Sequence, residues 1–118
     1  MRIQRNSPPR RFRVGLDKRI VMKDCGSLRL APNEQVTFMT PSGKSHDFAA
    51  KSWGFYATPS VNARLADQGF KTALVRNHQG RYYVMVVEKN RMADFRVYLK
   101  SEKNRVVLWL DRLGSVPR

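Results

Sequence analysis

The sequence predicts an α+β domain in which an N-terminal antiparallel β meander packs with a C-terminal unit of element order β-α-β-β-α-β. Three observations predict it: β-prone runs between turn residues before residue 40, two stretches with helical spacing of apolar residues, and a hairpin signal between them. The 118 residues suffice for one domain with its own core. We expect that domain over residues 11–111.

The meander is predicted over residues 11–40. Its strands are the β-prone runs 19–22, 27–30 and 35–39, and its turns are Asp24-Cys25-Gly26 and Ala31-Pro32-Asn33-Glu34. The prolines of Ser7-Pro8-Pro9 disfavour a helix and break a strand. Residues 1–10 are therefore predicted to be a flexible basic arm, and residues 112–118 a C-terminal tail.

The second unit is predicted over residues 48–111. Its strands are 48–56, 71–76, 81–88 and 105–110, and residues 77–80 form a hairpin turn. Thr58 and Pro59 are suited to begin the first helix and Gly69 to end it, while Asn90 can cap the second helix. This order is that of the ferredoxin-like topology, which places both helices on one face of a four-stranded antiparallel sheet.

The strands 81–88 and 105–110 have apolar residues on both faces. A sheet with one face in water should instead alternate apolar with polar residues. We therefore expect the face away from the helices to be covered. The cover is either the N-terminal meander or a second subunit, which would make a homodimer through the sheet face.

The charge is the strongest compositional signal. There are 23 Lys and Arg against 9 Asp and Glu, a formal net charge of +14 and a pI near 10.9. Such a field attracts polyanions, so we predict a non-catalytic module that binds nucleic acid or another polyanion through a basic surface. A merely solvated basic surface, an anionic carbohydrate, a nucleotide sugar and an acidic protein are the alternatives.

Basic residues occur beside aromatic ones in three places: the arm, the stretch around residues 51–56, and the predicted hairpin. The candidate anion-binding residues are Arg2, Arg5, Arg10, Arg11, Arg13, Lys44, Lys51, Trp53, Lys71, Arg76 and Arg81. The cations would contact phosphates, and an exposed ring such as Trp53 could stack on a base or sugar. The alternative is that Trp53 and Tyr56 belong to the core.

Signals for catalysis, metals and membranes are weak. Ser42-Gly43-Lys44-Ser45 resembles the end of a P-loop, but Phe38 stands where the first glycine is required. His46, His78 and Cys25 have no partner suited to nucleophilic catalysis. We expect no catalytic residues, no metal and no cofactor. The alternative is a small enzyme with a site at the sheet edge, where His46, His78 or Cys25 would meet an acid in a cleft. No apolar run approaches the ~20 residues of a membrane span and no signal peptide is visible, so a cytoplasmic location is expected.

The sequence resembles two groups of proteins. The runs Ser52-Trp53-Gly54-Phe55-Tyr56 and Gly80-Arg81-Tyr82-Tyr83-Val84-Met85-Val86-Val87-Glu88 resemble a group of small bacterial proteins associated with surface-polysaccharide genes. That resemblance implies the alternative function of an accessory or regulatory protein of surface-polysaccharide or carbohydrate metabolism. The element order of the C-terminal half is similar to that of SPOR domains, which bind peptidoglycan glycan strands. It implies a topology and no binding residues.

Overall fold

A computed structural model describes residues 1–113. The strands are β1 (Arg2–Val14), β2 (Ile20–Arg29), β3 (Gln35–Met39), β4 (Ser45–Lys51), β5 (Gly54–Ala57), β6 (Phe70–Arg76), β7 (Tyr82–Glu88) and β8 (Arg105–Trp109), and the helices are α1 (Arg64–Asp67) and α2 (Met92–Ser101). Short 3-10 turns lie at Lys89–Arg91 and Leu110–Arg112. The α+β class is confirmed, as is the β-α-β-β-α-β order of the C-terminal half. Most of the predicted tail, residues 114–118, lies outside the described residues.

Strands β1 and β2 form a long antiparallel hairpin, with register from Arg2↔Arg29 to Val14↔Ile20. The predicted flexible arm 1–10 is therefore wrong, since these residues belong almost entirely to β1. The register shifts between Arg5 and Arg10, so that the Ser7-Pro8-Pro9 segment bulges out of the ladder. A bulge accommodates prolines because they have no N–H to donate to a neighbouring strand.

Strand β2 continues through Asp24-Cys25-Gly26, where the sequence predicted a turn. That prediction is wrong. The chain bulges in the partner strand β1, between Arg5 and Arg10, and β2 itself continues. Gly26 has φ +145°, and a Cβ placed on it would lie 2.1 Å from the carbonyl oxygen of Gln4. This residue lets β1 approach where the register shifts.

Strands β3, β4 and β5 form a second antiparallel sheet in that order. The predicted single strand 48–56 is divided by a tight turn at Ser52 and Trp53, with Lys51 paired to Gly54. Gly54 has φ +148°, a conformation that L side chains rarely adopt. Strand β4 is the central strand of this sheet, so both of its edges are paired, one with β3 and the other with β5.

The third sheet has the order β7-β6-β8. The β6–β7 hairpin is confirmed, and its turn is held by Asn77, whose Oδ1 accepts hydrogen bonds from the backbone N–H groups of Gln79 and Arg81, each at 2.9 Å. The sheet has three strands instead of the predicted four. With both edges of β4 already paired, that strand has no backbone groups left for this sheet.

The first helix is one turn long. It begins at Arg64, later than the predicted start at Pro59, and the Ser60 hydroxyl accepts a hydrogen bond from the Arg64 N–H at 3.0 Å. Gly69, at φ +95°, follows it as predicted. Asn90 was predicted to cap the second helix, but α2 begins at Met92 without a side-chain cap bond.

The core is small and lies around β6. The buried residues there and beside it are Ala49, Pro59, Leu65, Phe70, Thr72, Ala73, Val75 and Val87. Helix α2 covers one face of the third sheet through Phe95, whose ring lies 6.1 Å from that of Trp109. The radius of gyration, 16.1 Å, exceeds the ~13.5 Å typical of a compact domain of this length.

The opposite face of the third sheet is covered only in part. At one end the His46 ring lies 6.3 Å from that of the buried Phe70. At the other end Leu74 lies between its strand partners Val84 and Leu108, which are 64% and 41% exposed. The prediction that the N-terminal meander covers this face is therefore wrong for that end. Cover by a second subunit stays a prediction.

Candidate functional site

Positive charge is concentrated in the first hairpin. Residues 1–30, about a quarter of the chain, hold nine of the 23 Lys and Arg but two of the nine Asp and Glu. Both of these acids already have cationic neighbours, since Arg19 pairs with Asp17 at 2.8 Å and Arg10 with Asp24 at 3.5 Å. The remaining cations of the hairpin therefore lack carboxylates of their own there.

Strand alternation places five of these cations on one side of the hairpin, which we call the cationic face: Arg2, Arg11, Arg13, Lys23 and Arg29. All five side chains are exposed. Within residues 1–113, none of them forms an ion pair or a side-chain hydrogen bond. They are available to an external anion.

The cationic face contains two pairs of like charges directly across the ladder. Arg2 is the strand partner of Arg29, and Arg11 is the strand partner of Lys23. Cross-strand partners have Cβ atoms ~5 Å apart, at which distance like charges destabilise the pairing. A negative group between the two members of a pair would turn that repulsion into two attractive contacts.

The other side of the hairpin is mainly apolar and carries two of the predicted anion contacts. Arg10 is paired with Asp24, and its guanidinium carbon lies 4.6 Å from the centre of the Phe12 ring. Arg5 is the partner of Gly26 and lies on this side as well. The sequence prediction thus mixed residues from both sides of one hairpin.

An apolar groove of about 610 Å³ lies where the hairpin meets the second sheet. We call it the aromatic groove, and its main lining residues are Leu28, Arg29, Phe38, Phe48, Lys51 and Phe55. Phe38 and Phe55 are 51% and 73% exposed. Both contact the central ring of Phe48, at centroid distances of 5.4 and 6.4 Å.

Arg29 joins the two features. Its strand position places it at one end of the cationic face, opposite Arg2. It also lines the aromatic groove, as does Lys51. The Lys51 ammonium donates a hydrogen bond to Asn33 Oδ1 at 2.7 Å. Lys51, one of the predicted anion contacts, is therefore held at the edge of the groove.

Two predicted lysines have local partners. The Lys44 ammonium donates to the Gln68 carbonyl at 3.3 Å. The Lys71 ammonium lies 4.5 Å from the centre of the Trp109 ring, a cation–π contact. Both lie on elements away from the hairpin, so they are not brought together with the cationic face.

The last three predicted residues are also dispersed. Arg76 is half-buried on β6 and its Nε finds no hydrogen-bond acceptor in residues 1–113. Arg81 is exposed just before β7. Trp53 is 72% exposed in the β4–β5 turn and stacks on Tyr56 at 6.1 Å. The alternative that placed Trp53 and Tyr56 in the core is therefore wrong.

The histidines and the cysteine lie on separate elements, with His46 on β4, His78 in the β6–β7 turn and Cys25 on β2. Within residues 1–113, no three His, Cys, Asp or Glu side chains lie close enough together to hold a metal ion. Cys25 and His78 are exposed. His46 is half-buried, and the Nδ1 atom finds no partner in the described chain. Burial, aided by the charge of Arg64, lowers the pKa of His46, against a smaller opposing effect of Asp47.

The chain matches no family model, no curated protein and no solved structure. Neither of the helices in the described part of the chain is long and apolar enough to cross a membrane.

Sequence reasoning missed Lys23, Arg29, Phe38 and Phe55. A usable signal was present for the first two. Read as one continuous strand, residues 20–29 alternate so that Ile20, Met22 and Leu28 fall on one side and the two cations on the other. No comparable signal was present for the two phenylalanines, because nothing in the local sequence shows that their strands form a partly uncovered face.

Proposed function

We propose that this protein is a non-catalytic nucleic-acid-binding module and that the phosphate backbone lies along the cationic face. The observation that carries the proposal is the pair of like-charge contacts, Arg2 with Arg29 and Arg11 with Lys23, in which no member has an acidic partner within residues 1–113. Cations that lie opposite each other without internal neutralisation support binding of an external anion, because their combined field attracts negative charge.

The length of the cationic face favours a polymer over a small anion. Arg29 and Lys23 are six residues apart on β2, which corresponds to ~20 Å along an extended strand. A single small anion would neutralise only one of the two pairs. A nucleic-acid strand carries regularly spaced phosphates and would neutralise both.

The experiment is a fluorescence-anisotropy titration with labelled DNA and RNA at ~50 and ~200 mM salt. The wild-type chain should bind more weakly at the higher salt concentration. The double variant Arg11→Gln/Lys23→Gln should bind more weakly than wild type, and the slope of log affinity against log salt should become shallower by ~1 for each lost phosphate contact.

Arg96→Gln serves as the matched control, because Arg96 is exposed on α2 and does not belong to the cationic face. This variant should retain most of the affinity. Equal losses in the two variants would show that net charge, and not the cationic face, determines binding. Absence of binding at low salt would overturn the proposal.

The surface-polysaccharide alternative is tested in the same titration with an acidic polysaccharide of matched charge. Tighter binding of the polysaccharide than of DNA and RNA at equal salt would favour that alternative. The cationic face would then bind carboxylate or sulfate groups of the carbohydrate and not phosphates.

A further inference from the structure

We propose that the nucleic acid is bound as a single strand and that its bases stack on Phe38 and Phe55 in the aromatic groove. This inference rests on the proposed function and adds the ligand's strandedness and the residues that contact the bases. The observation behind it is that two exposed aromatic rings, Phe38 and Phe55, line the same groove as Arg29, which has no ion-pair partner in residues 1–113.

The two rings are exposed on either side of a third ring. Phe48 lies between them on β4 and contacts both, which limits their movement toward the sheet. Phe55 exposes 73% of its surface and Phe38 exposes 51%. Large apolar rings left in water cost free energy that burial against another flat apolar surface recovers. A nucleobase offers such a surface, because every base has a π-face.

The charges around the groove match a base attached to a phosphate backbone. Arg29 lies at the end of the cationic face and also in the groove wall, and Lys51 lies at the groove as well. A nucleic-acid strand that follows the cationic face would therefore meet positively charged residues along its whole path to the groove. An uncharged apolar peptide or acyl chain would gain no electrostatic attraction from these cations.

Only unpaired bases can use this arrangement. In a duplex the faces of the bases are stacked on one another and only their edges are accessible from the grooves. Stacking on protein rings therefore requires a single strand, whose bases can turn away from the backbone. A duplex would contact the cationic face alone.

The test compares four probes of one length with the full chain at one salt concentration: single-stranded DNA, single-stranded RNA, duplex DNA, and a single strand that lacks bases. The variants are Phe55→Leu and Phe38→Leu, which remove a ring and keep an apolar side chain. Tyr82→Leu is the matched control, since Tyr82 is a 57% exposed ring on a different sheet.

We expect each ring variant to weaken binding of the single strands by about 5- to 150-fold, the range measured for loss of one stacked base. Binding of the duplex and of the base-free strand should be unchanged, and Tyr82→Leu should resemble wild type with every probe. A halogenated pyrimidine in the single strand should crosslink on irradiation to peptides that contain Phe38 or Phe55.

The two proposals fail in different ways. If the base-free strand and the duplex bind as tightly as the single strands, and the ring variants bind like wild type, the stacking inference is overturned while the proposed function stands. If none of the four probes binds, the proposed function fails and the inference with it. A crosslink confined to peptides outside the groove would also overturn the inference.

Discussion

Arg11 and Lys23 stand directly opposite each other across the β1–β2 hairpin, and neither has an acidic partner in residues 1–113. In a fold selected for stability alone, one of the two would be expected to be acidic or neutral, because opposite charges at such positions stabilise a hairpin. Two cations at these positions weaken the pairing of the strands, whereas they would favour the proposed binding of an anion.

Neutralising one member of the pair should make the protein more stable and the complex weaker. For Lys23→Gln we expect the free energy of unfolding at low salt to rise by ~0.2–1 kcal/mol, because the cross-strand repulsion is removed. Urea unfolding monitored by circular dichroism measures the change. The gain should shrink at high salt, where the repulsion is already screened.

The matched variant Arg96→Gln removes one positive charge from α2 and should change the unfolding free energy less. A stability gain equal to that of Lys23→Gln would attribute the effect to overall charge. A loss of stability in Lys23→Gln would contradict the idea that the two cations repel each other.

Gly26→Ala should disrupt the hairpin. The added Cβ would lie 2.1 Å from the Gln4 carbonyl oxygen, and the residue has φ +145°, so β1 must move away or the backbone must change conformation. Amide hydrogen exchange in residues 2–5 and 26–29 should become faster than in wild type. The cationic face would lose its register, and nucleic-acid affinity should fall with it.

Gly43→Ala is the control for the backbone conformation. Gly43 also has a positive φ, +87°, but a Cβ there would have no heavy atom within 4 Å. It should cost only the conformational strain of a non-glycine residue, ~1–2 kcal/mol. Equal hairpin exchange rates in the two variants would contradict a special role for the approach of β1 to Gly26.

Stability should fall in mild acid because of His46. Burial lowers its pKa below the ordinary value of 6.5, so below pH 6.5 the unfolded chain takes up a proton more readily than the folded chain. The stabilisation that depends on neutral His46 is fully present above pH 6.5 and is lost as pH falls toward the folded pKa. Urea midpoints measured between pH 7.5 and 5 test this dependence.

His46→Phe should flatten that part of the pH profile, because the new ring keeps the contacts with Phe48 and Phe70 and cannot be protonated. His78→Gln changes an exposed turn residue and should leave the profile as in wild type. If the slope disappears in His78→Gln and persists in His46→Phe, the assignment to His46 is wrong.

The uncovered end of the third sheet tests the expected homodimer. Val84 and Leu108 flank Leu74 there, and both are exposed in the single chain. If a second copy covers this face, sedimentation should show a dimer, and Val84→Lys should convert it to a monomer without loss of helical circular dichroism. A wild-type chain that remains monomeric at high concentration would contradict the dimer.

The parts of the fold that sequence reasoning predicted correctly depend on local signals. The turn at Asn77 and Gly80 uses a side-chain oxygen and a positive φ that neighbouring residues supply. The β1–β2 pairing could not be found in that way, because it joins Arg2 to Arg29 across a bulge. The prolines that create the bulge looked locally like the end of any strand.

The candidate site was predicted in composition but not in arrangement. Arg2, Arg11 and Arg13 were identified because arginines are frequent near the N-terminus. Their relation to Lys23 and Arg29 depends on the register of a hairpin whose partner strand was itself divided by an incorrectly predicted turn. A list of basic residues becomes a surface only once the pairing of strands is known.

The first hairpin forms a two-stranded sheet by itself, so each of its strands has an outer edge that no other strand of the described chain occupies. Such edges can recruit another molecule's backbone and begin aggregation, and positively charged side chains protect against this. The arginines of the cationic face would therefore keep copies of the chain apart. Variants that remove them, or polyanions that neutralise them, should lower the concentration at which the protein precipitates.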